Sequence, residues 1–513
     1  MIKNLLGAGA VQAETDVLVV GAGTVGLVLA AKLAESGKRV LCLESGGWEQ
    51  TEDTHPFNEV EQVATVYSGA KHGRFRALGG TSSRWGGALI PFQDADLKDA
   101  GWPVSGSDLA PYVADVEALF GLPAGAYESP ELMSGGSTEH IARAAKWPAF
   151  RKRNVFTLLE ALVRSDTGPE VWINATATDF QVKEGRISEV TARSASGDSI
   201  CVKAQCVLLA AGAIESTRLL LLVDRQNGGL ISRITPHLGQ HFHDHLSAVV
   251  AELVVKDRAK INKLIGFGFG PGGTMRNIRF ELAPNSSLRQ SIRPCFAHIA
   301  FDDQSGSGFD ALRDVYRALQ RGRMPRASLI GRLAFDIPWL VQAAWWRFFY
   351  KRLHYPHAAT LRCVMVIEQH PTRLNTVSLS AERKDLFGQP LASIDWRIQP
   401  QDVRAMQQAA SAFAASWEKS TLVSLAEMKL EPEECIHIAM QTNGGIYHPG
   451  GTTRMAAYAK GGVVDRNLCV FGISNLRVVA TSVLPTGGGA NPTMMLMLLA
   501  MRCIAQLSGQ RLE

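Results

Sequence analysis

The chain has 513 residues, of which 46% are hydrophobic and 20% charged, and a formal net charge of +5. That length exceeds one compact core and predicts two or three folding units of ordinary globular composition, while so small a charge gives no case for nucleic acid as a partner. Eight cysteines are scattered with no C-x-x-C pair, which argues against a disulfide framework or a structural zinc site, and no metal is expected. The first 14 residues lack an apolar core of signal-peptide length, and no apolar run approaches the roughly 18 residues of a membrane-spanning helix. The expected location is cytoplasmic.

In chain order, residues 16–20 form a short β-branched run that stops at Gly21, and residues 24–36 carry apolar side chains at helical spacing before Gly37. Residues 39–43 read as a second buried strand ending at Glu44. Gly21, Gly23 and Gly26 therefore follow a strand and open a helix, with an acid at the end of the next strand. In that setting G-x-G-x-x-G predicts a dinucleotide site. The first glycine makes the turn, the second admits a pyrophosphate to the backbone, and the third lets helix pack on strand, with the helix N-terminus facing the phosphates. Glu44 is placed to accept hydrogen bonds from both ribose hydroxyls, which disfavours a 2′-phosphate.

Residues 76–87 are too rich in glycine for a regular element. They read either as an ordered loop or as bare backbone that approaches a flat ring. Residues 171–177 and 187–192 alternate as half-buried strands around a turn at Glu184-Gly185-Arg186. Residues 207–213 form a continuous apolar run, expected to be the last parallel strand of the unit, with a helix over 214–223. His241, His243 and His245 flank Asp244 and invite a metal reading. Successive side chains of an extended segment face opposite ways, however, which turns Asp244 away from the histidines, and no thiolate or carboxylate cluster stands nearby in sequence.

From about residue 246 the composition changes. Strands at 360–367, 376–380 and 391–396, with an amphipathic helix at 400–417 to cover one sheet face, predict a second, substrate-facing unit. Within it, residues 311–357 carry Arg313, Arg317, Arg321, Arg323, Arg326, Arg332, Arg347, Lys351 and Arg352 against Asp314 and Asp336. Trp339, Trp345, Trp346, Phe348, Phe349 and Tyr350 are interleaved. The plain expectation is an insertion whose aromatics pack on the body and whose arginines are solvated. The alternative is an interfacial helix, a peripheral membrane contact that meets anionic lipid.

Two C-terminal stretches carry the chemistry. His448 opens a glycine-rich loop that runs to Met455, and 36 positions later (491 − 455) Asn491-Pro492-Thr493 precedes an apolar helix. Loops held by rigid elements are where reacting groups tend to sit.

With residues 21–26, 79–87, 210–218 and these two stretches together, the chain resembles the glucose-methanol-choline (GMC) oxidoreductase family over nearly its full length. In style it is nearest the branch of pyranose oxidases and bacterial sugar and alcohol dehydrogenases. The resemblance implies an α/β fold of the GMC and p-hydroxybenzoate hydroxylase type. A Rossmann-like FAD-binding domain (residues 14–245 and 440–513) would carry a second α+β substrate domain (246–439) built on an antiparallel sheet. It implies FAD as cofactor, and it assigns His448 to the family's active-site histidine and Asn491 to the second position, where some members have His. The cofactor positions carried over are Gly21, Gly23, Gly26, Glu44, Gly80, Thr81, Ser82, Ala177, Ala480, Thr481, Pro492 and Thr493. Two departures stand out. Members that bind flavin covalently have a histidine where Arg84 falls, so noncovalent FAD is expected. Ala480 occupies a place where many members have Asp or Gly, which removes a side-chain contact to the pyrophosphate.

On this reading the enzyme moves a hydride from the CH–OH carbon of a sugar, glycoside or other secondary alcohol to flavin N5, once His448 has taken the hydroxyl proton. A neutral imidazole near its ordinary pKa of about 6.5 suits that role. Asn491 holds the alcohol oxygen or the imidazole in register, caps the following helix, or does both. No second G-x-G-x-x-G of similar context is present, so electrons are expected to leave for oxygen, a quinone or another carrier. Two competing readings remain: a flavin-containing lyase without net redox change, and a membrane-associated dehydrogenase that feeds a quinone.

Overall fold

The protein is described by a computed structural model that covers residues 1–49, 54–133, 138–302, 307–320, 324–443 and 445–509. Its first sheet has eight strands. Ile2–Asn4, Glu170–Ile173, Val40–Leu43, Ala10–Val20 and Ser199–Leu209 run parallel in that spatial order, and Arg186–Arg193 and Thr176–Lys183 extend the edge as an antiparallel pair. The inner strands are buried on both faces, which explains their unbroken apolar runs. Helices Gly26–Glu35 and Thr493–Ser508 pack against each other over this layer.

Two expectations change here. The run at 207–213 ends a strand inside the sheet, because Leu476–Val478 adds parallel to Val207, Leu208 and Leu209. The stretch 171–177 is broken at Asn174, whose φ of 55° turns the chain, so its first half joins the parallel core and its second half the hairpin.

The second sheet is antiparallel and has seven strands. Gly268–Phe269, Met275–Leu282, Cys295–Asp302, Thr360–Glu368, His245–Val255 and Ala426–Leu430 follow one another, and His140–Trp147 pairs with Met275–Leu282 along its length. Helix Pro400–Glu418 buries Met406, Phe413 and Trp417 in the core of this sheet. A small third sheet joins Thr376–Lys384, Pro390–Asp395 and Val60–Gln62. His140–Trp147 and Val60–Gln62 both lie within residues 14–245, expected to belong wholly to the nucleotide unit, yet both pair with strands of the other. A strand's own periodicity says which face is buried and nothing about its partner.

The basic aromatic segment forms helices Gly308–Gln320, Ala327–Phe335 and Ile337–Trp345 and a π-helical turn at Trp346–Tyr350. Of these aromatics Trp339 is buried, and Lys263 of helix Arg258–Ile265 lies over the Trp346 and Tyr350 rings, 5.9 and 4.1 Å from their centroids. Trp346 is half-buried, and Trp345, Phe348, Phe349 and Tyr350 are exposed. Trp345 and Phe349 stack on each other instead, with centroids 3.7 Å apart. Arg321 and Arg323 lie outside the described residues. Among the described residues no helix is long and apolar enough to cross a membrane.

Candidate active site

Where the parallel strands end against the antiparallel sheet, a cavity of about 1260 Å³ opens, lined by residues of both layers. Its floor depends on missing side chains. Gly21 has φ 104°, and a Cβ on Gly26 would fall 1.8 Å from the Gly21 carbonyl oxygen, so strand and helix meet this closely only with glycine at both places. A Cβ on Gly23 would have no neighbour within 4 Å, which leaves bare backbone facing the cavity. The helix N-terminus just beyond it adds free N–H groups and positive dipole. Glu44 is buried at the end of its strand. Its oxygens accept from Ala22 N and Gly46 N, each at 2.8 Å, while burial raises its pKa.

Of the expected cofactor residues, Gly21, Gly23, Glu44, Gly80, Thr81, Ala480, Thr481 and Thr493 line the cavity together with His448 and Asn491. Four do not. Gly26 serves helix packing. Ser82 donates to Gly79 O and accepts from Val155 N at 3.0 Å, bracing the loop from behind. Ala177 is a core residue, whereas its neighbour Ala175 donates from its backbone to Glu44 O at 2.8 Å. Pro492 occupies the N-cap position of helix Thr493–Ser508. Bare backbone, two helix N-termini and a buried acid at one end of a long cavity fit FAD.

At the cavity wall Asn491 Nδ2 donates to His448 Nε2 at 3.1 Å. His448 Nδ1 lies 3.2 Å from His245 Nδ1, and His245 Nε2 lies 2.9 Å from Gly488 O. A carbonyl oxygen can only accept, so neutral His245 carries its proton on Nε2 and accepts at Nδ1. His448 must then carry its proton on Nδ1, which leaves the Nε2 lone pair turned to Asn491. Arg279 Nη1 donates to Asn491 Oδ1 and so fixes which way the carboxamide points.

Burial holds His245 down to about 4. Burial first, then His245 and Arg279, hold His448 well below the usual imidazole value. The expected pKa near 6.5 is thus corrected: His448 is neutral across the physiological range.

Asp244 builds this corner. Its Oδ1 accepts from His245 N at 2.6 Å and His448 N at 2.7 Å, and its Oδ2 accepts from Tyr67 OH at 2.7 Å and Tyr447 N at 3.0 Å. Asp244, His245 and His448 bring ligand-type atoms within 4.8 Å of one another. The carboxylate oxygens and both Nδ1 atoms are already committed to hydrogen bonds, so the group forms a closed polar knot. The segment before it is not a continuous extended strand, since His241 has φ 63° and its ring stacks on that of His237.

From sequence, His245 and Asp244 enter only through a metal reading, and Arg279 and His298 carry no reading. His245 had a signal in its adjacency to an acid within a histidine-rich run. Arg279 had none, because it alternates with Glu281 in Met275–Leu282 as charges do on any half-exposed strand.

A parallel-sheet nucleotide cradle that shares one cavity with an antiparallel wall defines a flavin-dependent oxidoreductase. Residues 371–500 match the family described as GMC oxidoreductase, and residues 14–54 match an FAD binding domain. Over 95% of its length and 94% of the relative's, the chain is 22% identical to 2-methyl-1,2-propanediol dehydrogenase of Mycolicibacterium austroafricanum. It is 32% identical to choline oxidase of Arthrobacter globiformis over 21% of this chain and 20% of that one. In fold it is similar to pyridoxine 4-oxidase from Mesorbium loti, with TM-score 0.59 at 15% identity over 97% of this chain and 100% of that one. A variant of Aspergillus oryzae formate oxidase gives TM-score 0.58 at 18% identity over 97% and 98%. Residues 371–500 thus carry a GMC oxidoreductase domain, and the chain is an FAD-dependent oxidoreductase acting on CH–OH donors.

Proposed function

We propose that His448 is the base that takes the hydroxyl proton of a small polar alcohol, that Asn491 positions the alcohol oxygen, and that FAD is held without a covalent bond. The observation that carries the assignment is the one-way hydrogen-bond chain from His448 through His245 to Gly488 O, which leaves His448 Nε2 as an acceptor. Bound FAD supplies the hydride acceptor. As the hydroxyl approaches, Asn491 Nδ2 gives up its bond to Nε2 and donates to the carbinol oxygen. His448 Nε2 then receives the proton, and the growing negative charge on oxygen weakens the C–H bond. Its low pKa keeps Nε2 free at neutral pH, and Arg279 acts as a positioning residue by holding the carboxamide. Arg84 lines the cavity where a histidine would be needed for a covalent link, and arginine does not form that bond.

The test is His448→Ala under anaerobic conditions. FAD content stays at wild-type level, and flavin bleaching by alcohol slows at least about a hundredfold. Unchanged bleaching in the variant defeats the assignment. Flavin that stays yellow in the wild type under every alcohol that is turned over would instead fit a lyase.

A second reading concerns where electrons go. Met324, Ile330, Val341, Phe348 and Phe349 are 89%, 62%, 63%, 69% and 64% exposed on the helical segment that also carries Arg326, Arg332, Arg347 and Lys351. Apolar side chains exposed together among basic ones fit an anionic lipid surface. Phe309, Arg313 and Arg317 of the same segment line the cavity, so docking there would favour a membrane quinone over oxygen as acceptor. The enzyme should cosediment with anionic vesicles and less with zwitterionic ones, and lose binding when Trp345, Phe348 and Phe349 become serine. Vesicle binding that is absent, or indifferent to those changes, defeats this reading.

A further inference from the structure

We infer that the alcohol bears a carboxylate one or two carbons from its carbinol carbon, and that Arg279 with His298 receives that carboxylate. The inference rests on His448 and Asn491 as the reacting pair and deepens it to a substrate class, the 2- and 3-hydroxy acids.

Three arginines are buried among the described residues, and two have acids. Arg143, 2% exposed, pairs with Glu281 at 2.7 Å; Arg218, 6% exposed, pairs with Glu215 at 2.9 Å and Asp385 at 2.6 Å. Arg279, 4% exposed, has no carboxylate within ion-pair distance among the described residues. It can donate five hydrogen bonds and makes one, to Asn491, while its Nε is buried without an acceptor. Glu281, two residues along the same strand, is held by Arg143 and Gln93. A buried guanidinium without a counterion is costly unless a ligand supplies the charge. Burial lowers its pKa only to about 10, so it stays a cation at neutral pH.

The surroundings fit the same ligand. The Phe296 ring lies 4.3 Å from the guanidinium carbon and holds the fork flat, a geometry suited to the two oxygens of a carboxylate. His298 lies one step beyond the Phe280–Ala297 pairing, lines the cavity, and has a buried Nδ1 with no partner. Burial and then Arg279 keep it neutral, down to about 3, so it can offer a hydrogen bond without adding a second buried charge. The acids that line the cavity are Glu44 and Glu215. Glu44 is taken by backbone N–H groups and Glu215 by Arg76 and Arg218. Arg313 and Arg317 face the cavity from the helical segment. Glu281, the acid that acts on Arg279 through space, is engaged by Arg143 and Gln93, so the wall there presents a cation with no ion-pair partner. With Arg279 one hydrogen bond from Asn491, a carboxylate on its free edge brings the neighbouring carbinol to His448. There His448 Nε2 would take the O–H proton, bound FAD would supply the acceptor for the C–H hydride and its two electrons, and the hydroxy acid would leave as a keto acid.

The test uses holoenzyme and two probes without a carbinol C–H: 2-hydroxyisobutyrate and its neutral amide, titrated at constant ionic strength while the flavin absorbance is followed. The acid should give a saturable difference spectrum with Kd at least about tenfold below that of the amide. Arg279→Gln should weaken the acid by about 10- to 100-fold more than the amide, which shares only the contact to Asn491, with Arg279→Lys in between. Equal binding of acid and amide by the wild type, a comparison that needs no variant to fold, overturns the inference. So does an equal loss for both probes in Arg279→Gln, which would assign the cation to the alcohol oxygen. No saturable signal below about 100 mM acid overturns it as well. Neither probe is oxidised, so the titration reads binding alone: repeated in His448→Ala it tests the carboxylate site, while bleaching of that variant by an oxidisable alcohol tests the base, and each proposal stands or falls on its own readout.

Discussion

His245 touches no bound molecule in the proposed mechanism, yet its removal should slow flavin reduction. In His245→Ala the Nδ1–H of His448 loses its acceptor at a site where His245 is 1% exposed. A buried donor without a partner costs about 1–3 kcal/mol, which tips the imidazole toward the tautomer with its proton on Nε2, where it blocks the base. That range corresponds to a loss of about 5- to 150-fold in the competent fraction, hence in the single-turnover rate. The assay is stopped-flow bleaching under anaerobic conditions at saturating alcohol, with FAD content measured alongside. The 15N shifts of the His448 imidazole report the tautomer directly. His245→Asn, whose Oδ1 can stand near the lost Nδ1, should recover part of the rate, which a general loss of packing would not allow. A rate within about twofold of wild type in His245→Ala, with flavin bound, would refute the relay as the source of the tautomer.

The depressed pKa of His448 keeps it unprotonated, so the acid limb of flavin reduction should lie below pH 6.5. Glu368 titrates close by and accepts from Gly488 N, so the profile should be read in Glu368→Gln; a limb above 6.5 surviving there would contradict the prediction. Burial raises Glu368 from 4.5 to about 7. The folded state therefore binds more protons than the unfolded one, and the associated stability is complete below pH 4.5 and lost as pH rises through 7. Glu368→Gln should gain on the wild type by up to about 3 kcal/mol between pH 5 and 8, read from denaturant midpoints; a difference that is flat with pH would refute this.

The nucleotide half of the site was legible because its signals are local. The strand from residue 16, Gly21-x-Gly23-x-x-Gly26, helix and Glu44 lie within 29 residues (44 − 16 + 1), and Gly21 and Gly26 have a steric reason that sequence spacing preserves. His448 and Asn491 stand out for the same reason, each in a glycine-rich turn. The wall opposite was not legible, since it is assembled by pairing. Met275–Leu282 gains its neighbours from His140–Trp147, 128 (275 − 147) to 142 (282 − 140) residues away, and from Cys295–Asp302, 15 (296 − 281) to 17 (297 − 280) residues away, and that assembly buries Arg279 without an ion-pair partner. Trp345, Phe348 and Phe349 misled in another way. Aromatic residues usually signal a core, and here no other element covers them.

Asp244 shows why a charge persists where burial opposes it. Four donors from three separate stretches of chain meet on its two oxygens: Tyr67 OH, His245 N, Tyr447 N and His448 N. A carboxylate accepts all four. An asparagine would present an NH₂ group to one pair and leave buried N–H or O–H groups facing another donor. Burial still lifts the carboxyl to about 6, so the four bonds do not cancel the cost of desolvation. The uncancelled part is the cost of fixing His448. Its backbone N–H and that of His245 are set by the same side chain, and the strand that begins at His245 belongs to the antiparallel sheet. The reacting imidazole is thus registered against the substrate wall by a buried charge, and against the nucleotide cradle by the helix that begins just after Asn491.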